Sequence, residues 1–179
     1  MTDQPSPATQ EKIARLERQL EEAQTILDTL PIMFWYKDRE NRHIKVNRPT
    51  AKLEGLPITA IEGKTAYDLY PKEQAEAYHR DDLEVIRSGE PKLGIVEKHT
   101  TSAGELMWME TGKVPYRDKA GEIIGVIAFA IDITRQKRTQ EFLSKTLDTL
   151  ADMIESEAPH DKLREYLAKA QADFEKLSA

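Results

Sequence analysis

The chain has 179 residues, of which 39% are hydrophobic and 32% charged, with a net charge of −6. It contains no cysteine, which excludes disulfides, thiolate metal sites, iron–sulfur clusters and a cysteine nucleophile, and its acidity argues against the basic face of a nucleic-acid binder. No stretch reaches the roughly 20 apolar residues of a membrane span and no signal peptide is recognisable, so the expectation is a cytoplasmic protein of one domain with attachments, touching neither nucleic acid nor membrane.

Residues 1–8, with Pro5-Ser6-Pro7, read as a disordered lead. Over residues 9–30, Ile13, Leu16, Leu20, Ala23, Leu27 and Leu30 recur at alternating spacings of 3 and 4. That is a heptad seam, and it predicts a coiled-coil helix. A helix this short is marginal in isolation, so the seam predicts a homodimer interface; the alternative is an amphipathic helix lying on its own domain. Pro31 ends it. Ile32–Lys37 and Arg42–Asn47 then form two strands around a turn at Asp38–Asn41, a hairpin by composition. Asn47 is placed to cap a short helix from Pro49 to Leu53.

Gly55, Pro57 and Gly63 break the following chain into short helical pieces, the last near Thr65–Leu69. A longer helix runs from Pro71 to about Arg87 and stops at Ser88-Gly89. Its apolar arc holds Ala75, Leu83 and Ile86, with His79 and Asp82 inside the same arc, three residues apart and able to touch. Strands follow over Leu93–Thr100 and Leu106–Tyr116, joined by a turn at Ser102–Glu105. Met107, Met109 and Thr111 share one parity of the second strand, and Trp108 takes the other, expected beneath the N-terminal helix. His43 and His99 fit exposed strand positions.

The stretch around which the chain is organised is Gly121–Thr134. Ile123–Ile131 carries no charge and is mostly β-branched or aromatic, which suits a central strand buried on both faces. Arg135-Gln136-Lys137-Arg138 opens a helix directly after it, making strand and helix one mechanical linkage. The remainder is helical: Leu143, Leu147, Leu150 and Ile154, then Leu163, Leu167, Ala170, Phe174 and Leu177, interrupted at Ser156–Pro159. A helical hairpin, or two arms of a dimeric bundle, is expected for residues 135–179. His160-Asp161-Lys162 faintly resembles a phosphoacceptor helix, but Pro159 makes a helix start the better reading. The element order is α+β.

Leu27-Asp-Thr-Leu-Pro31, Lys37-Asp38, Val46-Asn47, Asp82–Gly89, Pro115-Tyr-Arg-Asp118, Gly121–Gly125, Asp132-Ile133-Thr134 and Gln136-Lys137-Arg138 come in an order and at gaps that resemble the PAS sensor-domain superfamily. The resemblance covers about residues 25–134 and places the domain at 31–134. It implies a five-stranded antiparallel sheet cupping a small cavity, with helices on one face. It implies a pocket at Trp35, Tyr67, Tyr78, His79, Asp82, Met107, Met109, Thr111, Ile127 and Phe129. It assigns the coupling of the last strand to the exit helix to Asp132, Ile133 and Thr134. A small organic ligand or none is the expected occupant. Haem through His79 and a redox flavin stacked on Trp35 or Trp108 are the cofactor alternatives; thiol-adduct flavin photochemistry is excluded with cysteine. No kinase core, cyclase, helix-turn-helix or phosphate loop is recognisable, so the expected role is a sensory module acting on a separate signalling partner and not an enzyme. A structural dimerisation adaptor with a filled core is the rival.

Overall fold

A computed structural model describes residues 6–101 and 104–178. The elements are α1 (Pro7–Thr29), β1 (Met33–Asp38), β2 (His43–Val46), α2 (Arg48–Glu54), α3 (Ile58–Ile61), α4 (Ala66–Leu69), α5 (Lys72–Ser88), β3 (Lys92–Thr100), β4 (Leu106–Arg117), β5 (Ile123–Asp132), α6 (Thr134–Glu155) and α7 (His160–Ser178). The five strands form one sheet in the order β2-β1-β5-β4-β3, and every neighbouring pair is antiparallel. The last strand of the chain is thus the middle strand of the sheet. Its uncharged β-branched run is what a strand with two hydrogen-bonded neighbours requires.

Strand alternation gives the sheet two unlike faces. Met33, Trp35 and Lys37 of β1, Met109, Thr111 and Lys113 of β4, and Val126, Ala128 and Ala130 of β5 face α2–α5. Met33, Met109 and Ala130 pack there with Leu53 of α2, flanked by Trp35 and Met107. The other face carries Phe34, Tyr36, Ile127 and Phe129, which are half-buried, and Ile131, which is 43% exposed. β5 is therefore buried on one face only, contrary to the two-faced burial expected from its composition. Small inward residues and large outward ones give a run with no charge on either side. Gly112 lies under the Phe129 ring, and Gly125 lies against the Lys37 carbonyl.

The helices follow their caps. The Ser6 hydroxyl accepts from the Thr9 N–H and Pro7 occupies the first turn, so α1 begins at Pro7 rather than at residue 9; residues 1–5 of the expected lead, and Ser102 and Ala103 of the expected turn, lie outside the described residues. α1 has no buried residue. Only its end is fastened: Asn47 Nδ2 donates to the Leu27 carbonyl at 2.9 Å, and Asp28 pairs with Arg48 at 3.2 Å. Asn47 also caps α2, accepting from the Thr50 N–H at 3.1 Å. α5 ends on Gly89 in the left-handed conformation, a position glycine occupies at no steric cost. α6 and α7 pack as a hairpin, with the Phe142 and Phe174 rings 6.2 Å apart.

A Cβ added at Gly125 would sit 2.1 Å from the Lys37 carbonyl oxygen, a backbone atom that cannot swing aside. Gly125→Ala is expected to destabilise the fold by about 3 kcal/mol, the upper end of ordinary overpacking, seen as a lower urea midpoint with an unchanged slope.

Candidate functional site

The site lies between the inner sheet face and α5, and its centre is a carboxylate. Asp82, on the buried stripe of α5, is 2% exposed. Its Oδ2 accepts from Lys37 Nζ at 3.0 Å and from Asn41 Nδ2 at 2.7 Å, and its Oδ1 accepts from Lys113 Nζ at 2.7 Å. Lys37 and Lys113 are themselves buried, at 5% and 4% exposure. Three elements, β1, β4 and α5, are thereby tied at one point. Asn41 joins a fourth: its Oδ1 accepts from the Ala66 N–H at 3.0 Å, while its backbone turns the β1–β2 hairpin with φ at +65°, a conformation asparagine tolerates.

Burial pushes the Asp82 carboxyl up, but the two ammonium groups outweigh it and hold the group below the usual carboxylate range. Burial pushes Lys37 down, against the pull of Asp82. Tyr78 Oη is pushed up to about 12, chiefly by burial, and its backbone carbonyl accepts from Lys113 Nζ at 3.0 Å. On the α2 side, Tyr70 donates a short hydrogen bond to Glu54, whose carboxyl burial also pushes up.

Beside the triad is a cavity of about 50 Å³. Lys37 and Lys113 form one end and Glu97 and Thr111 the other, with Trp35, Tyr78 and Ala128 as walls. Thr111 Oγ1 donates to Glu97 Oε1 at 3.0 Å. A second, more open cleft of about 740 Å³ lies against the start of α6 and the end of α7, lined by Asp132, Thr134, Arg135, Arg138 and Lys176 among others.

Of the ten residues expected in the pocket, the structure brings Trp35, Tyr78 and Thr111 to the cavity and sets Asp82 directly behind its lysine end. Met109 belongs to the adjoining core, with Met107 packed against it. Ile127 and Phe129 are on the opposite face of the sheet, because their parity is that of Gly112 and not of Ala128. Tyr67 is 48% exposed, and His79 Nδ1 meets its hydroxyl at 3.2 Å on the outside of α5. The pairing of His79 with Asp82 does not occur, since Asp82 is filled by lysines. Trp108 is on the outer face as expected, but its neighbours are Lys98 of β3 and Lys137 of α6, at 4.9 and 5.6 Å from the ring, instead of α1.

His43, expected exposed, is 1% exposed, because the α3–α4 loop closes over β2: its Nδ1 lies 2.7 Å from the Lys64 carbonyl. The cavity offers haem no histidine, methionine or cysteine ligand, and it is far below the roughly 300 Å³ at which pockets for larger ligands begin; its residues fit neither haem nor flavin. Lys37, Lys113, Asn41 and Glu97 were missed. Two of them were in reach of parity: Lys113 continues Met107, Met109 and Thr111, and Lys37 continues Met33 and Trp35.

The junction with α6 is closed by three hydrogen bonds. Asp132 Oδ1 accepts from the Thr134 N–H at 2.8 Å, the Ile133 N–H donates to the Trp108 carbonyl at 2.9 Å, and Thr134 Oγ1 accepts from the Trp108 N–H at 2.8 Å. Only Ile133 separates β5 from α6.

A five-stranded antiparallel sheet cupping a small polar cavity, with helices entering and leaving at its ends, defines a sensor-type α+β domain. The PAS fold profile matches residues 27–138, and the chain belongs to the PAS fold family. It is 33% identical over 124 residues to the methanogenesis regulatory histidine kinase FilI of Methanothrix harundinacea, covering 69% of this chain and 13% of that protein. It is 27% identical over 129 residues to the aerobic respiration control sensor protein ArcB of Escherichia coli, covering 72% and 16%. The chain thus spans less than a fifth of the length of these relatives. Among solved structures it is similar to the PAS domain of BvgS from Bordetella pertussis, at 26% identity and a TM-score of 0.55 over 78% of this chain and 98% of that one. It is also similar to the VqmA dimer of Vibrio cholerae, at 25% and 0.59 over 65% and 52%. These similarities make it a PAS module of the sensory and regulatory kind. No helix among the described residues is long and apolar enough to cross a membrane.

Burial and Lys37 lower the His43 pKa from 6.5 to about 4, so the unfolded chain binds the extra proton between those values. Stability is therefore expected to fall as pH drops from 6.5 to 4, and to keep falling below about 4 as Asp82 is protonated. His43→Gln should flatten the first part of a urea-midpoint titration and leave the second. Asp82→Asn, which strands two buried ammonium groups, should cost about 3–5 kcal/mol at neutral pH.

Proposed function

We propose that this chain is a cytoplasmic PAS sensory module with no catalytic chemistry of its own, in which a change at the cavity passes through Asp132-Ile133-Thr134 to α6 and so to a separate protein partner. The observation that carries this reading is the continuity of the cavity wall with the exit helix. Ala128 of β5 and Thr111 and Lys113 of β4 line the cavity, and the same two strands hold the start of α6 through Asp132 and Trp108. A strand displaced at the cavity cannot leave the helix where it was, because one residue separates them and three hydrogen bonds close the gap. A ligand biases such a switch only by its difference in affinity for the two states. FilI is a regulatory histidine kinase and ArcB a control sensor protein, and this supports the reading.

The module works as a dimer. Ile13, Leu16 and Leu20 on α1 are 43–69% exposed at heptad spacing, and a stripe of this kind is buried by a second helix. Leu143, Leu147 and Ile154 on α6 are likewise exposed.

Filling the cavity with Ala128→Leu is expected to change amide exchange at Ile133, Thr134 and Lys137, all hydrogen-bonded at the junction, by threefold or more. In a Thr134→Val background the change should vanish; exchange that ignores the cavity in both backgrounds refutes the relay. Native mass spectrometry should give twice the 20.5 kDa chain mass, and Leu20→Glu should return it to the monomer.

A further inference from the structure

The two ends of the cavity are oppositely charged and each has unused hydrogen-bonding capacity. Lys37 Nζ has three N–H donors and one hydrogen-bond acceptor among the described residues, Asp82 Oδ2. Lys113 Nζ has two, Asp82 Oδ1 and the Tyr78 carbonyl. Both ammonium groups are buried, so the remaining donors have little access to bulk water. At the far end, Glu97 pairs in register with Met109, four residues from Lys113 along β4. Its Oε1 accepts from Thr111, which leaves most of the lone pairs of an ionised carboxylate open.

The charged groups lining the cavity, together with Asp82 behind them, sum to zero; Asp81 lies outside this set, with its Oδ2 3.9 Å from Lys113 Nζ and its Oδ1 taken by Lys92. Lys37 and Lys113 are matched by Asp82 and Glu97, but Asp82 is saturated by the lysines and Asn41 while Glu97 stands across the void. An anion would satisfy the lysines and be repelled by Glu97; a cation would meet the reverse. A molecule that is itself neutral but carries a carboxylate at one end and an ammonium at the other satisfies both and leaves the buried charge balanced, which low-dielectric surroundings demand. The walls, Trp35, Tyr78 and Ala128, are apolar or aromatic, and about 50 Å³ leaves room for a few heavy atoms.

We propose that the cavity binds a small α-amino acid as its zwitterion, of the size of glycine or alanine, with its carboxylate on Lys37 and Lys113 and its ammonium on Glu97. This rests on the cavity being the sensing site, and it names the class of molecule sensed.

The test is thermal unfolding and calorimetric titration of the full chain with glycine and L-alanine, against acetate and methylammonium at matched concentration and ionic strength. An amino acid at 100 times its Kd should raise Tm by roughly 5–10 °C, and each single-charge probe should give less than a third of that shift. Glu97 is half-buried on an edge strand, so Glu97→Gln should fold; it should weaken amino-acid binding about tenfold or more while leaving the acetate response unchanged. Lys37→Met should weaken both, and if it does not fold, Glu97→Gln carries the test alone. No shift with either amino acid, an acetate response equal to theirs, or a response that survives in Glu97→Gln overturns the proposal. Binding and junction exchange are separate readouts. A chain that binds glycine but leaves α6 unmoved refutes the relay and keeps the ligand class. A chain whose junction answers Ala128→Leu but which binds no amino acid does the reverse.

Discussion

Asp82 accepts three hydrogen bonds from three different parts of the chain, and the arrangement of sheet and helices depends on them. Without the carboxylate, Lys37 and Lys113 would be two buried cations on strands either side of β5, each costing several kcal/mol of desolvation. With it, α5 is held to β1 and β4 at a defined height, and Asn41 brings the hairpin turn and the first residue of α4 into the same register. A hydrophobic contact between α5 and the sheet could slide by an ångström at little cost; a carboxylate bonded from three directions cannot. The cavity exists because this clamp holds the helix off the sheet on polar side chains, instead of letting it settle on apolar ones.

The second constraint is at the other end of the same strands. Thr134 and Ile133 exchange hydrogen bonds with both backbone groups of Trp108, while Asp132 satisfies the Thr134 N–H. N–H groups that an exposed helix start would leave to water are thereby satisfied, and the Ile133 N–H and the Thr134 hydroxyl fasten the helix to β4. α1 is fastened in a similar way through Asn47, whose side chain serves α1, β1 and α2 at once. Both arms are therefore anchored by polar groups at their roots, and their apolar stripes remain outside.

The fold was legible in the sequence to within a few residues because its signals are local: Pro, Gly and Asn at the breaks, β-branched runs in the strands, and 3-and-4 spacing in the arms. The site was legible only in part. Parity placed Thr111 on the right face and helix periodicity turned Asp82 inward, but the family resemblance that set Trp35 at the pocket also put Ile127 and Phe129 there, because a run apolar on every residue does not say which parity is inside. Gly112 and Gly125 held that information: a large side chain sits over a glycine on the face the glycine shares. His43 and His79 exchanged expectations for a related reason. Whether a strand or helix flank is covered depends on which loop folds over it, and the loop between α3 and α4 covers β2 while the Tyr67–His79 pair stays at the surface. The lysines were passed over because charge on a strand reads as solvent exposure unless its partner, 31 or 45 residues away, is already known.

The chain has two tryptophans, and the fold has sent them to different stations. Trp35 forms part of the cavity wall, while Trp108 is held between the ammonium groups of Lys98 and Lys137 where β3, β4 and α6 meet. Indole emission depends on nearby charge and on exposure to water, so the protein carries one native optical reporter at its input and another at its output. Removing either leaves a single emitter, and the two single-tryptophan proteins divide the fluorescence of the parent into the behaviour of the chamber and that of the hinge.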